Sequence, residues 1–187
     1  RSTRRTASFR LMLPAATTAE GSGPLLTAAF TAVSAICITG LVTVDTVTYW
    51  SPFGQVVIML LIQVGGYGIV TLASVLTMVA TGRLSLQGSV IASQELHERS
   101  FSAAARLPQR IAVLMLSAEA LTAAVLTVAF RPHADSWGES IWFGVFHSVS
   151  AFNNAGFALF SDNLMSFVGD ASIILPICAA IVVGGIG

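Results

Sequence analysis

Two adjacent amides and a glycine, Asn153, Asn154 and Gly156, stand near the middle of a segment without a charged residue from Ser140 to Ser161. An unpaired amide in hydrocarbon costs roughly 2–7 kcal/mol, so a lipid-facing helix does not carry two at its centre. Non-helical backbone at membrane depth is tolerated only where protein buries it or where it lines a water-filled cavity. A short helix followed by a few residues with inward main-chain carbonyls is how an ion filter replaces a hydration shell. Glycine suits that task, because it reaches positive φ and adds no side chain to block a pore.

The same pattern occurs earlier. Phe30, Val33, Ser34, Ala35 and Gly40 match Phe146, Val149, Ser150, Ala151 and Gly156 at a constant offset. Val64-Gly65-Gly66-Tyr67-Gly68 matches Val183-Gly184-Gly185-Ile186-Gly187 after a small slip in register. The chain thus carries one unit twice: an apolar helix, a polar break containing glycine, and a second apolar helix. Two breaks at corresponding places in two repeats point to a binding or conduction site.

Composition agrees with a membrane setting. Hydrophobic residues make up 55% of the chain and charged residues 10%, too apolar for an ordinary soluble domain. The net charge is zero, which gives no basic surface for nucleic acid. Cys37 and Cys178 lie in apolar segments and form neither a disulfide framework nor a metal-spacing motif. No secretory leader is visible. The chain starts at Arg1 and stops at Gly187 inside an apolar run, and is expected to be a fragment.

The elements that must position the breaks follow in order. Residues 1–80 form the first unit, with its outer helix missing or truncated, a pore loop at about 25–44 and an inner helix at about 55–80. Tyr49-Trp50-Ser51-Pro52 is expected as an interfacial turn. Residues 81–110 are a polar, amphipathic connector. Residues 111–187 form the second unit: an outer helix at about 111–130, a pore loop at about 141–157 and an inner helix from about 171. Residues 25–44 are long enough either to span or to dip and return. Thr39-Gly40 in the first unit and Asn153–Gly156 in the second are poor helix formers, which favours the dip.

These strings resemble the Trk/Ktr/HKT potassium transporter superfamily, and within it bacterial TrkH/KtrB-like subunits. The residues that carry the resemblance are Ala32-Val33-Ser34-Ala35-Ile36-Cys37-Ile38-Thr39-Gly40-Leu41, Gln63-Val64-Gly65-Gly66-Tyr67-Gly68, and Phe146-His147-Ser148-Val149-Ser150-Ala151-Phe152-Asn153-Asn154-Ala155-Gly156-Phe157. The resemblance implies an all-α integral membrane fold of repeated helix–pore loop–helix units, with about two of the four expected present. It implies Gly40 and Gly156 as filter glycines, and Cys37, Ile38, Thr39, Asn153, Asn154 and Ala155 as neighbouring filter backbone. Potassium would be bound through main-chain carbonyls, with no cofactor; sodium coupling stays open. The resemblance also implies a multi-pass protein of the cell membrane, a homodimer, and a cytoplasmic nucleotide-binding regulatory subunit. The rival reading is a secondary solute transporter with discontinuous helices. An enzyme is not expected: His147 beside Ser148 and Ser150 on one helix is not a triad arrangement.

Other residues carry two readings each. Glu119, alone in an apolar run, costs roughly 2.5–3.5 kcal/mol if it faces lipid, so it is functional or paired within the bundle. Asp45 and Asp162 follow the two glycines at similar distances and stand as outer-mouth acids or solvated loop acids. His147 is expected to be a hydrogen-bonded structural residue. Cys37 is expected to pack as a small apolar side chain. The Gly-Gly-x-Gly strings lie inside apolar runs, where close helix packing is the simpler role.

Orientation follows from charge, with one conflict. Residues 82–110 hold four arginines and are assigned to the cytoplasm. Residues 1–10 also hold four arginines, yet the resemblance places them at the outer end of a lost helix. The repeat chemistry outweighs the charge count here. With 111–130 as a single span, cysteine introduced at Asp135 should react with an impermeant reagent in intact cells, and cysteine introduced at Glu95 should not. The opposite labelling would overturn the arrangement.

Overall fold

The computed structural model describes residues 16–18, 24–85 and 95–186. The basic stretch 1–10, most of the small-residue loop after it, the centre of the connector and Gly187 lie outside the described residues. Helices account for most of what is described: α1, Leu25–Ile36; α2, Pro52–Ser85; α3, Glu95–Phe130; α4, Trp137–Phe152; and α5, Ala171–Ile186. A single helical turn, Thr46–Tyr49, precedes α2.

Length separates the helices into two kinds. With 12 residues, α1 is about 18 Å long at 1.5 Å per residue, well short of a hydrocarbon core of about 30 Å. By length it is too short to cross one alone. Windows at Pro52–Ile69 in α2 and Gln109–His133 through the end of α3 are long and apolar enough to cross a membrane. Both helices run past the expected limits of 55–80 and 111–130. Absence of charge marks an apolar stretch, whereas helical hydrogen bonding continues through polar residues that permit it.

On α1 small side chains face inward and large ones outward. On α1, Ala28, Ala32 and Ala35 are buried with Thr31 and Ser34, while Leu25, Leu26, Phe30 and Val33 are exposed. On α3, Val113, Leu114, Leu116, Leu121, Val125 and Val128 are exposed. Lipid solvates such side chains as well as protein does, so membrane helices associate through small residues that let backbones approach.

Helix α4 and the loop after it lie between two cores. Ala28, Ala32 and Ala35 of α1, Ile58 and Ile62 of α2, and Phe146 and Val149 of α4 form the first with Ala155, Phe157 and Leu159. Leu126 and Phe130 of α3, Ala151 of α4, and Ile173, Ile177 and Ala180 of α5 form the second. A buried polar tie joins α2 to α4: Trp142 Nε1 donates to Gln55 Oε1 at 3.0 Å, and Gln55 Nε2 donates to the Trp50 carbonyl at 3.0 Å.

Two local expectations change. Trp50 is 1% exposed, so its ring packs inside the protein instead of reaching outward. A short strap over it explains why: Ser51 N–H donates to the Ala16 carbonyl and Thr18 N–H to the Tyr49 carbonyl, both at 3.0 Å. The helix expected from about 141 begins at Trp137 instead. Ser136 caps it by accepting from Glu139 N–H, and Glu139 accepts from Asp135 N–H at 2.8 Å, a variant of the capping box that ties the entering chain to the helix.

The glycine strings pack as expected. A Cβ on Gly65 would stand 2.2 Å from the Ile36 carbonyl oxygen, and one on Gly184 would stand 1.8 Å from that of Phe152. Each glycine thus admits the last turn of a neighbouring helix against its own. A Cβ on Gly68 meets nothing within 4 Å. Gly65→Ala should destabilise the protein by about 1–3 kcal/mol, and Gly68→Ala should leave stability the same or slightly higher. Thermal unfolding in detergent measures both. Equal effects of the two variants would remove the close contact as the reason for Gly65.

Candidate functional site

Helices α1 and α4 end in the same way. After α1, Cys37 is the cap residue with φ −85°, and Ile38 follows with φ 57°. After α4, Asn153 is the cap with φ −81°, and Asn154 follows with φ 56°. Ile38 N–H donates to Ala35 and Thr39 N–H to Ser34; Asn154 N–H donates to Ala151 and Ala155 N–H to Ser150. Each pair is the double bond of a Schellman cap, which closes a helix with one left-handed residue. Gly40 at φ 68° and Gly156 at φ 74° then turn the chain a second time.

The cost of this conformation differs between the two ends. Asparagine visits the left-handed region readily, but a β-branched residue there is an outlier and costs on the order of 1–2 kcal/mol. Ile38 carries that strain. Buried serines brace both turns. Ser34 Oγ and Thr39 Oγ1 share a hydrogen bond at 2.9 Å, and Ser150 Oγ donates to the Phe157 carbonyl at 2.6 Å.

The two loops touch. A Cβ on Gly40 would lie 2.6 Å from the Ala155 carbonyl oxygen, and one on Gly156 would lie 3.5 Å from the Gly40 Cα. Among the described residues, no protein hydrogen bond ends on a main-chain carbonyl of Cys37, Ile38, Thr39, Gly40, Asn153, Asn154, Ala155 or Gly156. Main-chain carbonyls require a partner, from protein, water or an ion. Asn154 and Gly156 are exposed and border a cavity of ≈180 Å³, while Ala155 between them is fully buried. Cys37 is exposed, against the expectation that it packs, whereas Asn153 at the matching cap position is buried.

Behind the second loop lies a polar cluster. Glu119 on α3 is 5% exposed. Its Oε1 accepts from Asn153 Nδ2 at 3.0 Å, and its side chain is also hydrogen-bonded to Gln63 of α2. Of the two readings of Glu119, the paired one describes its surroundings: amides face the carboxyl, not lipid. Ser148 Oγ donates to the Glu119 carbonyl at 2.6 Å, which fastens α4 to α3 at the same level.

His147 is also fully engaged. One ring nitrogen, Nδ1, lies 2.7 Å from the Phe143 carbonyl, and the other, Nε2, accepts from Leu159 N–H at 3.2 Å. The two bonds fix the neutral ring with its proton on Nδ1. Phe130 and Phe160 stand with ring centres 5.2 Å away. The ring therefore pins the chain after Gly156 back onto α4.

The two acids have local partners. Asp45 accepts from Val47 N–H at 2.8 Å and Thr48 N–H at 3.2 Å. The Ser161 hydroxyl, ahead of these main-chain bonds, holds its carboxyl below the usual aspartate range. Asp162 is held low first by the Ser166 hydroxyl, and accepts from Ser166 N–H at 2.9 Å. The Asp45–Ser161 bond brings the segments after both glycines to one side of the protein. Sequence reasoning missed the part Gln63 plays with Asn153 and Glu119, although Gln63 opens one of the strings that carried the family resemblance.

Two helices long and apolar enough to cross a membrane, packed with shorter apolar helices, place the chain in the class of helical membrane proteins. The family model described as TrkH, cation transport protein, matches residues 2–187. The chain is 39% identical over 177 residues to Ktr system potassium uptake protein B of Bacillus subtilis, covering 95% of this chain and 39% of that protein. It is 40% identical over 160 residues to the protein of the same name from Vibrio alginolyticus, covering 86% of this chain and 35% of that one. It is 33% identical over 177 residues to potassium/sodium uptake protein NtpJ of Enterococcus hirae, covering 95% and 39%. The chain belongs to the TrkH family and is a protein of the cell membrane. It spans about two fifths of the length of these relatives.

His147→Phe keeps the ring volume but leaves the buried Leu159 N–H without its acceptor. The expected loss is about 1–3 kcal/mol of stability, the cost of orphaning a buried donor. Thermal unfolding measures it, and an unchanged midpoint would remove the Leu159 bond from the loop's support.

Proposed function

We propose that the two loops are the first half of a carbonyl-lined cation filter, and that the whole protein takes up potassium across the cell membrane through it. The observation that carries this reading is the contact between Gly40 and Gly156. Two glycines at the same step of two matching turns, both at positive φ, are in direct contact. The eight carbonyls around them lack protein donors among the described residues. Main-chain oxygens in that state are what a dehydrating potassium ion needs. Repeated helix–pore loop–helix units, two here and four in the whole protein, complete the ring in this reading.

The names of the relatives support the choice of ion. Two are called potassium uptake proteins and one a potassium/sodium uptake protein. The first two are named as parts of a Ktr system, which supports association with other subunits; in this reading they are a second copy of the chain and a cytoplasmic nucleotide-binding regulator. Asp45 and Asp162, near one another on the side beyond the glycines, act in this reading as outer-mouth acids that raise the local cation concentration.

Gly156→Ser in the full-length protein tests the filter. Serine at φ 74° strains the turn by about 1–2 kcal/mol, and its hydroxyl competes with a carbonyl ligand. The ratio of potassium to sodium uptake, normalised to protein in the membrane, should fall by roughly tenfold, the factor that 1.4 kcal/mol represents. Gly40→Ser should act alike and also crowd the Ala155 carbonyl. Reduced membrane protein with an unchanged ratio would remove Gly156 from the filter and leave it a packing role.

A further inference from the structure

We propose that Glu119 is a positioning residue for the second loop, holding Asn153 so that the backbone from Asn154 to Gly156 keeps its conformation. The proposal rests on the filter reading above and adds a residue outside the loops to it.

Asn153 is the last point at which the second loop is fixed before its two positive-φ residues, Asn154 and Gly156. Its side chain meets three elements. Nδ2 lies 2.9 Å from the Val149 carbonyl of its own helix, 3.0 Å from Glu119 Oε1 on α3 and 3.4 Å from Gln63 Oε1 on α2. An amide has two N–H groups for these three acceptors, and the two shorter contacts take them. Gly66 closes the other side of the side chain: a Cβ there would stand 1.7 Å from Asn153 Oδ1. The side chain is thus held in a slot whose floor is a glycine of the first unit and whose acceptor wall is Glu119.

Among the described residues, the first loop has no such anchor at the matching position. Cys37 stands where the second loop has Asn153, and it is exposed. There the brace is the hydroxyl pair Ser34–Thr39, internal to the loop. The second loop, besides its own Ser150–Phe157 brace, is fastened across the bundle by a carboxylate 34 residues earlier in the chain. Of the acceptors outside α4, Glu119 makes the shorter contact. Its loss frees Asn153 to rotate, and the turn that follows loses its fixed start. A hydrogen bond in a site of low dielectric orients its partner strongly, because no water replaces it.

The test uses the full-length transporter and reads the potassium-to-sodium uptake ratio per protein in the membrane. Glu119→Ala should lower the ratio roughly tenfold. Glu119→Gln keeps an acceptor oxygen at the same place and should stay within about twofold of the parent. Because Glu119 acts through Asn153, adding Asn153→Ser to Glu119→Ala should lower the ratio no further than the worse single variant. If Glu119→Ala does not reach the membrane, Asn153→Ser alone, which draws the side chain back from Glu119, should give the same roughly tenfold fall, and an unchanged ratio there overturns the proposal as well. An unchanged ratio in Glu119→Ala overturns the proposal. So does a loss in Glu119→Gln equal to that in Glu119→Ala, since the charge would then matter and not the acceptor. Gly156→Ser in the same assay separates the two failures: if it too leaves the ratio unchanged, the filter reading has failed, and if it lowers the ratio, only the role of Glu119 has.

Discussion

Ending a helix inside a membrane leaves main-chain carbonyls that hydrocarbon cannot solvate. The rest of this structure depends on how that constraint is met at Ile36 and Phe152. At both places two N–H groups fold back in a Schellman cap and satisfy the carbonyls of the last turn. The next four residues are then left with carbonyls that no protein donor reaches among the described residues. Such backbone is tolerable only beside other protein or an aqueous path. The abutting glycines supply the first condition, and Asn154 and Gly156 lie at the surface of the described residues.

Close approach is the second theme, and glycine and alanine provide it. Gly65 and Gly184 let α2 and α5 lie against the carbonyls of Ile36 and Phe152. The alanine face of α1 lies on α2, and its larger side chains point away. In water such a distribution would waste the hydrophobic effect. In lipid there is little to gain by burying leucine, so contact between backbones decides the packing.

Polar groups within this apolar frame are used as fasteners. Gln55 with Trp142, Ser148 with the Glu119 carbonyl, and His147 with Leu159 each join two segments around α4. An unpaired polar group here is costly, so each pair is specific in register and direction. That is why α4, the helix that carries the second loop, is tied to both long helices rather than to one.

The sequence by itself determined that the chain enters a membrane, that two polar breaks interrupt apolar segments, and that Gly40 and Gly156 hold matching places. Those conclusions need only local pattern: absence of charge, poor helix formers at mid-segment, and a constant offset. It also marked Gly65 and Gly184 as packing residues from their setting. It did not determine that Ile38 is left-handed, because nothing local favours that state in isoleucine; the surrounding cap imposes it. Nor did it show that Trp50 is buried, since residues 16–18 cover it from far along the chain. The meeting of Gln63, Glu119 and Asn153 was likewise beyond local reading. Asn153 and Gln63 are 90 residues apart, and only the packing of α2, α3 and α4 brings an amide, a carboxyl and a helix end to one place. Periodicity and composition report which face of an element is apolar. They carry no information on which polar residue waits on the facing element, and that is what tertiary structure decided.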